Sequence, residues 1–223
     1  MIETAGFPAT GFDAFVTKLT PDGSQIVYET FLRGSGFDIA TGIVVDAAGA
    51  AHVVGHTTSN DFPMAAPLQS SLAGSTDVFV ARLDASGALE FSSYYGGSSF
   101  ENGSGIALGP SGDLFITGST GSTDLPGVNG LQQTYGGGFD DAFVVRIAPG
   151  QAEVVYATYL GGSGNDSAFR LAVDASGQAY IAGQTSSSDF PVAGALQPAF
   201  GGGFNDALLA EIRSSKGVFY NTV

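Results

Sequence analysis

Asp13-Ala-Phe-Val, Asp77-Val-Phe-Val, Asp141-Ala-Phe-Val and Asp206-Ala-Leu-Leu are four copies of one short pattern in this chain of 223 residues. The copies start 64, 64 and 65 residues apart. A fixed period of this length indicates one supersecondary unit repeated in series, in which each copy buries an apolar face against its neighbour. The period predicts repeats at 13–76, 77–140 and 141–205, and a half repeat at 206–223.

The composition is that of a folded and strongly acidic protein. Hydrophobic residues make up 43% of the chain, and the net charge is −14 with only 7 Lys and Arg residues. Nucleic-acid binding and docking on an anionic membrane need many basic side chains, so we expect neither function. There is no Cys, which excludes disulfides and thiolate metal sites. Divalent cations and neutral or cationic ligands suit this charge better.

The same composition favours an extracellular or cell-surface location. The chain is rich in Gly, Ser and Thr and poor in Lys. No stretch approaches the roughly 18 apolar residues of a membrane-spanning helix, so we expect no membrane insertion. The start, Met1-Ile-Glu-Thr-Ala-Gly, lacks the basic and apolar regions of a signal peptide. An export signal would therefore lie outside this sequence.

The apolar pattern predicts fourteen short β-strands and no α-helix. Alternation, as in Phe15-Val-Thr-Lys-Leu, favours strands, and so does the enrichment in β-branched and aromatic residues. The predicted strands are Ala14–Leu19, Gln25–Leu32, Thr41–Asp46, Ala51–Thr57, Val78–Leu83, Leu89–Tyr95, Gly105–Leu108, Leu114–Ser119, Ala142–Ile147, Glu153–Leu160, Leu171–Asp174, Ala179–Gln184, Ala207–Ile212 and Gly217–Thr222.

Each repeat has two tight and two long connections. The tight ones are turns such as Asp46-Ala-Ala-Gly, in which Gly can adopt a positive φ. One long connection is Gly-rich, as in Gly161-Gly-Ser-Gly-Asn-Asp, and the other passes through Asp61-Phe-Pro, Asp124-Leu-Pro or Asp189-Phe-Pro. In an antiparallel meander both long connections lie at the same end of the strands. We call the surface at this end of the sheets the long-loop face. Loops on a rigid scaffold often carry function, so we expect the site there.

Four-stranded antiparallel units in series, without helices, predict an all-β fold. We interpret the chain as a β-propeller segment of about three and a half repeats, which forms a single domain over residues 1–223. A β-solenoid is the alternative, but its repeats are usually much shorter.

The third repeat resembles a known family. It reads Val155-Tyr-Ala-Thr-Tyr-Leu-Gly-Gly-Ser-Gly-Asn-Asp-Ser and then Leu171-Ala-Val-Asp-Ala-Ser-Gly-Gln-Ala-Tyr-Ile-Ala-Gly-Gln-Thr-Ser-Ser-Ser-Asp-Phe-Pro. This sequence closely resembles the SBBP β-propeller repeat of large bacterial cell-surface and secreted proteins. The second copy departs from the pattern at Gly109, Leu125 and Glu101. The resemblance implies a propeller fold and a surface or secreted setting, but no reaction.

The Leu171 segment also resembles the first hairpin of other propeller blades. That resemblance implies blades at about 40–95, 104–160 and 168–222, preceded by the two outer strands of another blade at 14–32. Propellers usually need at least four blades. We therefore expect either a segment of a longer protein with further blades or an incomplete ring. Exposed sheet edges in such a ring favour edge-to-edge self-association.

The candidate binding residues are carboxylates of the long-loop face, with an unknown protein or glycan as ligand. They are Asp38, Asp61, Glu101, Asp124, Asp166 and Asp189. The alternative interpretation of the Asp-Phe/Leu-Pro motif is structural: Asp accepts backbone N–H groups, the aromatic residue wedges between blades and Pro stiffens the exit. Repetition in every copy favours this alternative, because a functional site usually breaks the symmetry.

A calcium site is a second candidate. Gly161-Gly-Ser-Gly-Asn-Asp matches the start of a calcium-binding nonapeptide, with Asn165 and Asp166 as ligands. That motif normally occurs as tandem copies, whereas here the copies lie a whole repeat apart. The competing interpretation is a Gly-rich turn. The chain's two histidines, His52 and His56, lie too far apart on one strand to share a metal ion, and we expect them at half-exposed positions.

No catalytic constellation is visible in the sequence. No Ser lies in a Gly-x-Ser-x-Gly motif, and the Gly runs have neither a following Lys nor a helix to hold phosphate. We therefore expect a non-catalytic module for display or for ligand binding, without a cofactor other than the candidate Ca²⁺. The alternatives are a polysaccharide-active hydrolase or lyase, which needs two carboxylates in a cleft, and a purely structural spacer.

Overall fold

The protein is an all-β structure. A computed structural model describes residues 11–127, 129–151, 153–213 and 219–221. These residues form fourteen strands and one short 3₁₀ turn, with no α-helix. The strands are β1 (Ala14–Leu19), β2 (Ile26–Leu32), β3 (Asp38–Val45), β4 (Ala51–Thr57), β5 (Asp77–Leu83), β6 (Leu89–Tyr95), β7 (Glu101–Leu108), β8 (Leu114–Thr120), β9 (Asp141–Ile147), β10 (Val154–Leu160), β11 (Asp166–Val173), β12 (Ala179–Thr185), β13 (Asp206–Ile212) and β14 (Phe219–Asn221).

Consecutive strands pair in antiparallel meanders. β1 and β2 form an N-terminal hairpin, and three four-stranded sheets follow: β3–β6, β7–β10 and β11–β14. We call these the first, second and third sheets. The sheets span 38–95, 101–160 and 166–221, so each begins 24 or 25 residues after Asp13, Asp77 or Asp141. This grouping is the one that the hairpin resemblance implied.

The first strand of every sheet starts earlier than the sequence predicted. Observed starts at Asp38, Glu101 and Asp166 replace the predicted starts at Thr41, Gly105 and Leu171. These stretches are rich in Gly and polar residues, a composition that indicates a loop. They are nevertheless strands, because each pairs with the second strand of its own sheet through a β-bulge. The predicted last strand, Gly217–Thr222, lies partly outside the described residues, and its described part is β14.

The sheets pack face to face in chain order. One apolar cluster joins the first sheet to the second and includes Val54, Val80, Ile116 and Val145. Another joins the second sheet to the third, and a further one joins the N-terminal hairpin to the first sheet. Each sheet therefore has a rear face towards the preceding unit and a forward face towards the next. The first strands β3, β7 and β11 also contact one another in series.

The connection between the second and third strands covers the outer edge of its sheet. In the first sheet, Ala65 and Ser92 exchange backbone hydrogen bonds of 3.3 and 2.8 Å, and the N–H of Tyr94 donates to the carbonyl of Gln69. The second sheet repeats this contact between Tyr159 and Gln132. Because an uncovered outer strand would offer free N–H and C=O groups to another chain, this loop protects both sheet edges.

Candidate functional site

Every Gly-rich loop joins one sheet to the next and uses three consecutive backbone N–H groups in the same way. The first donates to a carboxylate at the start of the following strand: Gly34 to Asp38 at 2.7 Å, Gly97 to Glu101 at 2.9 Å and Gly162 to Asp166 at 2.8 Å. The third donates to a serine hydroxyl at 2.8 Å in all three copies: Gly36 to Ser59, Ser99 to Ser122 and Gly164 to Ser187. Such successive N–H groups form an anion-binding concavity, which the protein's own side chains occupy here.

The middle N–H of each loop donates to the Asp of the Asp-Phe/Leu-Pro motif. Asp61 accepts both the N–H and the hydroxyl of Ser35, at 2.7 and 2.9 Å. Ser98 makes the same two bonds to Asp124, and Ser163 makes them to Asp189. The next residue of the motif is buried in each copy, as Phe62, Leu125 or Phe190. In each copy the Asp thus accepts a backbone N–H group, the contact that the structural interpretation of the motif predicted.

The six candidate binding carboxylates fall into two groups. Asp38, Glu101 and Asp166 are at most 1% exposed, so a ligand cannot touch them directly. Asp61, Asp124 and Asp189 are exposed on the long-loop face. Hydrogen bonds from the N–H and then the hydroxyl of Ser35 hold the pKa of Asp61 below its ordinary value, and Ser163 lowers the pKa of Asp189 in the same way. Asp61 and Asp189 are therefore ionised at neutral pH.

Two pairs of buried carboxylates lie at the junctions between sheets. A Cβ atom built on Gly161 would lie 2.5 Å from Asp141 Oδ1 and 2.8 Å from Asp166 Oδ2, so both carboxylates face this glycine. Gly96 lies in the same way between Asp77 and Glu101. In the first loop the equivalent position holds Arg33, whose Nη1 lies 3.3 Å from Asp13 Oδ2. The charged side chain of Arg33 thus pairs with a carboxylate at the first junction, whereas a glycine occupies the equivalent position at the next two.

Burial dominates the protonation of these pairs. Desolvation raises the pKa of Asp141 to about 7, the N–H of Gly136 opposes this shift, and the charge of Asp166 adds to it. Desolvation also raises the pKa values of Asp77, Glu101 and Asp166. A raised pKa suits a general acid, but Asp141 and Asp166 are fully buried. A polymeric substrate cannot reach either group.

The calcium candidates have protein partners of their own. Asn165 Oδ1 accepts the N–H of Phe139 at 2.7 Å, and Asp166 Oδ2 accepts the N–H of Gly162 and the hydroxyl of Ser187. No cluster of three or more His, Cys, Asp or Glu side chains with metal-binding geometry occurs in the part of the chain that the structure describes. A Ca²⁺ ion at this loop would have to displace these donors.

Exposed phenylalanines are the feature of the long-loop face that sequence reasoning missed. Phe12 and Phe37 form one pair with ring centroids 6.1 Å apart, and Phe100 stacks on Phe139 at 4.9 Å. Phe12, Phe139 and Phe204 are 70, 70 and 97% exposed. Phe37 and Phe100 occupy equivalent positions in their Gly-rich loops, and so do Phe139 and Phe204 before β9 and β13. The repeat itself could have indicated them, because a strand-like apolar residue recurs where a polar loop is expected.

At the opposite end of the strands, where the tight turns lie, a cleft of about 920 Å³ separates the first and second sheets. Its lining includes His52, Asp46, Arg82 and Glu90. The prediction that His52 is half-exposed was wrong: it is 3% exposed, because the second sheet covers this forward-facing position, and its Nε2 lies 3.3 Å from Asp46 Oδ2. Arg82 bridges Asp46 and Glu90.

Asp46, one of the two carboxylates of this cleft, does not suit the general-acid role in hydrolysis. Burial raises the pKa of Asp46, but hydrogen bonds from Ala50, His52, Ala48 and Arg82 together bring it below its ordinary value. A glycosidase needs one carboxyl group that stays protonated as the general acid. Asp46 is ionised, so it cannot take that role.

Comparisons with known proteins support the repeat. Residues 155–191 match the model of the SBBP family, described as a beta-propeller repeat. A search of curated proteins gave no match. Among the described residues, no helix is long and apolar enough to cross a membrane. The matched segment runs from β10 through the third Gly-rich loop to Phe190 and Pro191, so it contains the loop, the buried carboxylate and the Asp189 motif described above. Residues 155–191 are thus similar to an SBBP beta-propeller repeat, as their sequence predicted.

Proposed function

We propose that this chain is a non-catalytic β-propeller module of a bacterial surface or secreted protein, and that it binds a glycan or protein ligand through the long-loop face. The observation that carries the proposal is the set of exposed phenylalanines at the sheet junctions, next to exposed carboxylates. Aromatic rings with polar neighbours are common at recognition surfaces, because they offer large contact areas at a low entropic cost. Their recurrence in two of the three Gly-rich loops, at Phe37 and Phe100, suits a ligand that is itself repetitive, such as a polysaccharide.

The propeller arrangement belongs to the same proposal. The three sheets are its blades, and the N-terminal hairpin is the outer half of a further blade. Three observations support it: each sheet is a four-stranded antiparallel meander, the sheets pack face to face, and the first strands β3, β7 and β11 contact one another in series. In a propeller, first strands line the central axis.

A glycan array tests the binding proposal. The chain should bind at least one acid-free or cationic polysaccharide, because its own net charge is −14. The double variant Phe100→Ala/Phe139→Ala removes one stacked pair and should weaken that binding by about tenfold or more. Tyr180→Ala, at the tight-turn end of β12, is the matched control and should bind as the parent does. Equal binding by the double variant would contradict the proposal.

A structural spacer is the alternative that the buried carboxylates favour. Asp38, Glu101 and Asp166 all hold loops rather than face solvent. A spacer predicts no ligand on any array and no effect of the phenylalanine substitutions on anything but solubility.

The calcium site at Asn165 and Asp166 remains a separate proposal. Its test is the melting temperature in 1 to 10 mM CaCl₂ against EDTA (on the order of extracellular calcium affinities). Bound Ca²⁺ would raise the melting temperature of the parent but not that of Asn165→Ala. Asn165 Oδ1 and Asp166 Oδ2 already accept hydrogen bonds from the protein, so an equal melting temperature with CaCl₂ and with EDTA would contradict this proposal.

A further inference from the structure

Strand β1 has one open edge. In the complete sheets, the third strand pairs with the second strand on one side and with the fourth on the other. β1 has the place of a third strand, because Asp13 precedes it as Asp77 starts β5. Among the described residues, however, β1 pairs only with β2. No described residue therefore occupies the place of a first or a second strand beside β1.

An apolar surface lies next to this edge, on the rear face of β3. Ile43 and Val45 are 53 and 62% exposed. The residue equivalent to Ile43 in the second sheet is Ile106, which is only 7% exposed because the first sheet covers it. A groove of about 560 Å³ separates β1 from the start of β3. It is lined by Phe12, Asp13, Ala14, Phe15, Asp38, Ile39 and Ala40.

We propose that this groove binds an antiparallel β-hairpin from another polypeptide. The second strand of the hairpin pairs with β1, and the forward face of the hairpin covers Ile43 and Val45. Strand addition of this kind gains affinity from backbone hydrogen bonds and specificity from alternate side chains. The occupant is of the same kind as β3–β4, β7–β8 and β11–β12, which fill this position in the complete sheets.

The complete sheets show that the incoming strand needs a glycine at one position. Gly55 pairs with Phe79, and Gly118 pairs with Phe143. A Cβ atom on Gly55 would lie 2.6 Å from the ring of Phe79 and would overlap the carbonyl oxygen of the first strand. Phe15 has the position of these two phenylalanines on β1. The strand that pairs with β1 therefore needs a glycine opposite Phe15.

A threonine follows two residues later. Thr57 pairs with Asp77, and Thr120 pairs with Asp141. The equivalent acidic residue on the open edge is Asp13, so the incoming strand ends in Gly-x-Thr with Thr opposite Asp13. The partner is thus defined by chemistry: a β-hairpin whose second strand alternates apolar residues and ends in Gly-x-Thr.

The hairpin β7–β8 of this chain is a suitable probe. Phe115 on its forward face packs in the cluster that contains Ala179 of the third sheet. The equivalent of Ala179 on the first sheet is Ala51, which belongs to the cluster that joins the N-terminal hairpin to the first sheet. In the groove, the hairpin would place Gly118 opposite Phe15 and Thr120 opposite Asp13. Phe12 and Asp38 belong both to this groove and to the long-loop face, whereas Phe100 and Phe139 do not line the groove, so variants at those two positions separate this inference from the proposed ligand site.

The test is the binding of a fluorescent synthetic peptide with the sequence 101–120 to the intact chain, followed by anisotropy. Binding should saturate. Ile43→Asp should weaken it by about tenfold or more, since a charge then faces the apolar side of the hairpin. Val27→Asp is the matched control, because Val27 is 52% exposed on β2, away from the open edge; it should leave the affinity unchanged. A peptide with Gly118→Val should bind at least about tenfold more weakly.

Three results would overturn the inference. They are no saturable binding to a folded parent chain, equal binding to Ile43→Asp, and equal binding of the Gly118→Val peptide. Circular dichroism of Ile43→Asp checks that the variant folds, as expected for a substitution at an exposed position. Phe100→Ala/Phe139→Ala should bind the peptide as the parent does, so loss of glycan binding and loss of peptide binding are separate results.

Discussion

The most telling residues are the acidic ones at the long-loop face, which serve two different purposes. Asp166 is fully buried and accepts the N–H of Gly162 and the hydroxyl of Ser187. Asp189 is exposed and accepts both donors of Ser163. The first carboxylate fixes the start of a strand inside the protein, whereas the second fixes a loop in contact with water.

Substitution of these two residues should have unequal effects on stability. Asp166→Ala leaves two buried donors without an acceptor and should lower the free energy of unfolding by about 2–4 kcal/mol. Asp189→Ala should cost clearly less, because water can replace the lost acceptor. Urea denaturation of the two variants and the parent measures the difference. Equal losses would mean that the buried network does not hold the junction between the second and third sheets.

The buried pair Asp141 and Asp166 predicts a specific dependence of stability on pH. Burial raises the pKa of Asp141 to about 7, above its value in the unfolded chain. The folded protein therefore binds this proton more tightly than the unfolded chain does. The contribution of this proton to the free energy of unfolding is present at low pH and is lost as the pH rises from about 4 to about 7. The free energy of unfolding then falls by up to about 1.4 kcal/mol per pH unit.

The variant Asp141→Asn isolates this contribution. The asparagine cannot ionise, so the difference in unfolding free energy between variant and parent should shift in the variant's favour as the pH rises through this range. Urea denaturation at pH 4.5, 5.5, 6.5 and 7.5 (about one pH unit apart, as the slope requires) gives that difference. A difference that stays constant with pH would show that Asp141 does not titrate in this window.

Sequence reasoning succeeded with the acidic motifs and failed with the aromatic ones for physical reasons. The Asp-Phe/Leu-Pro interpretation needed only local chemistry: a short acceptor, an apolar residue and a rigid exit. Phe139 and its half-buried partner Phe100 lie 39 positions apart in the chain, and only the folding of the second sheet brings their rings together, because they precede its strands β9 and β7. Nothing in either local stretch indicates that the ring is exposed.

At the scale of the strand, the bulge in the first strand of each sheet explains a repeated glycine. Register shifts occur between Ala40 and Gly42, between Gly103 and Gly105, and between Ala168 and Arg170. The second strand carries a glycine opposite each bulge, at Gly55, Gly118 and Gly183. A Cβ atom at any of these glycines would overlap a backbone carbonyl oxygen of the first strand: that of Ile39, Asn102 or Ser167.

Gly183→Ala should therefore destabilise the third sheet. The added methyl meets the backbone rather than a side chain that could move away, so we expect a loss of about 1–3 kcal/mol in unfolding free energy. Ala182→Ser, at the exposed neighbouring position, is the matched control and should change stability by less than about 0.5 kcal/mol. Thermal denaturation of both variants measures the effect. If Gly183→Ala proved as harmless as the control, the bulge would not be as tight as described.

Strand positions were largely predictable because alternation and turn residues are local signals. β1 was predicted with its observed bounds, Ala14–Leu19. The starts of β3, β7 and β11 were predicted too late, because a stretch such as Glu101-Asn-Gly-Ser-Gly has too little apolar surface to indicate a strand. The position of each start depends on strand pairing and on buried hydrogen bonds to the carboxylate. Neither of these can be recognised from the alternation of apolar and polar residues.

At the scale of the whole molecule, the period fixes how units follow one another but not where a sheet begins. The strands of the repeats that start at Asp13, Asp77 and Asp141 could be assigned to four-stranded sheets in two ways, which we call phases. The observed phase places the Gly-rich loops between sheets and the Asp-Phe/Leu-Pro connections within them. This phase creates both the aromatic pairs at the junctions and the open edge of β1, so the functional proposals depend on it.

Backbone NOEs across strands test this phase most directly. The account predicts contacts between β4 and β5, such as Val53 with Ala81, and between β12 and β13, such as Ile181 with Ala210. It predicts none that join β2 to β3 as neighbouring strands. An NMR spectrum with a continuous β2–β3 ladder, and without the β4–β5 and β12–β13 contacts, would contradict the grouping of strands on which the site, the groove and the proposed function rest.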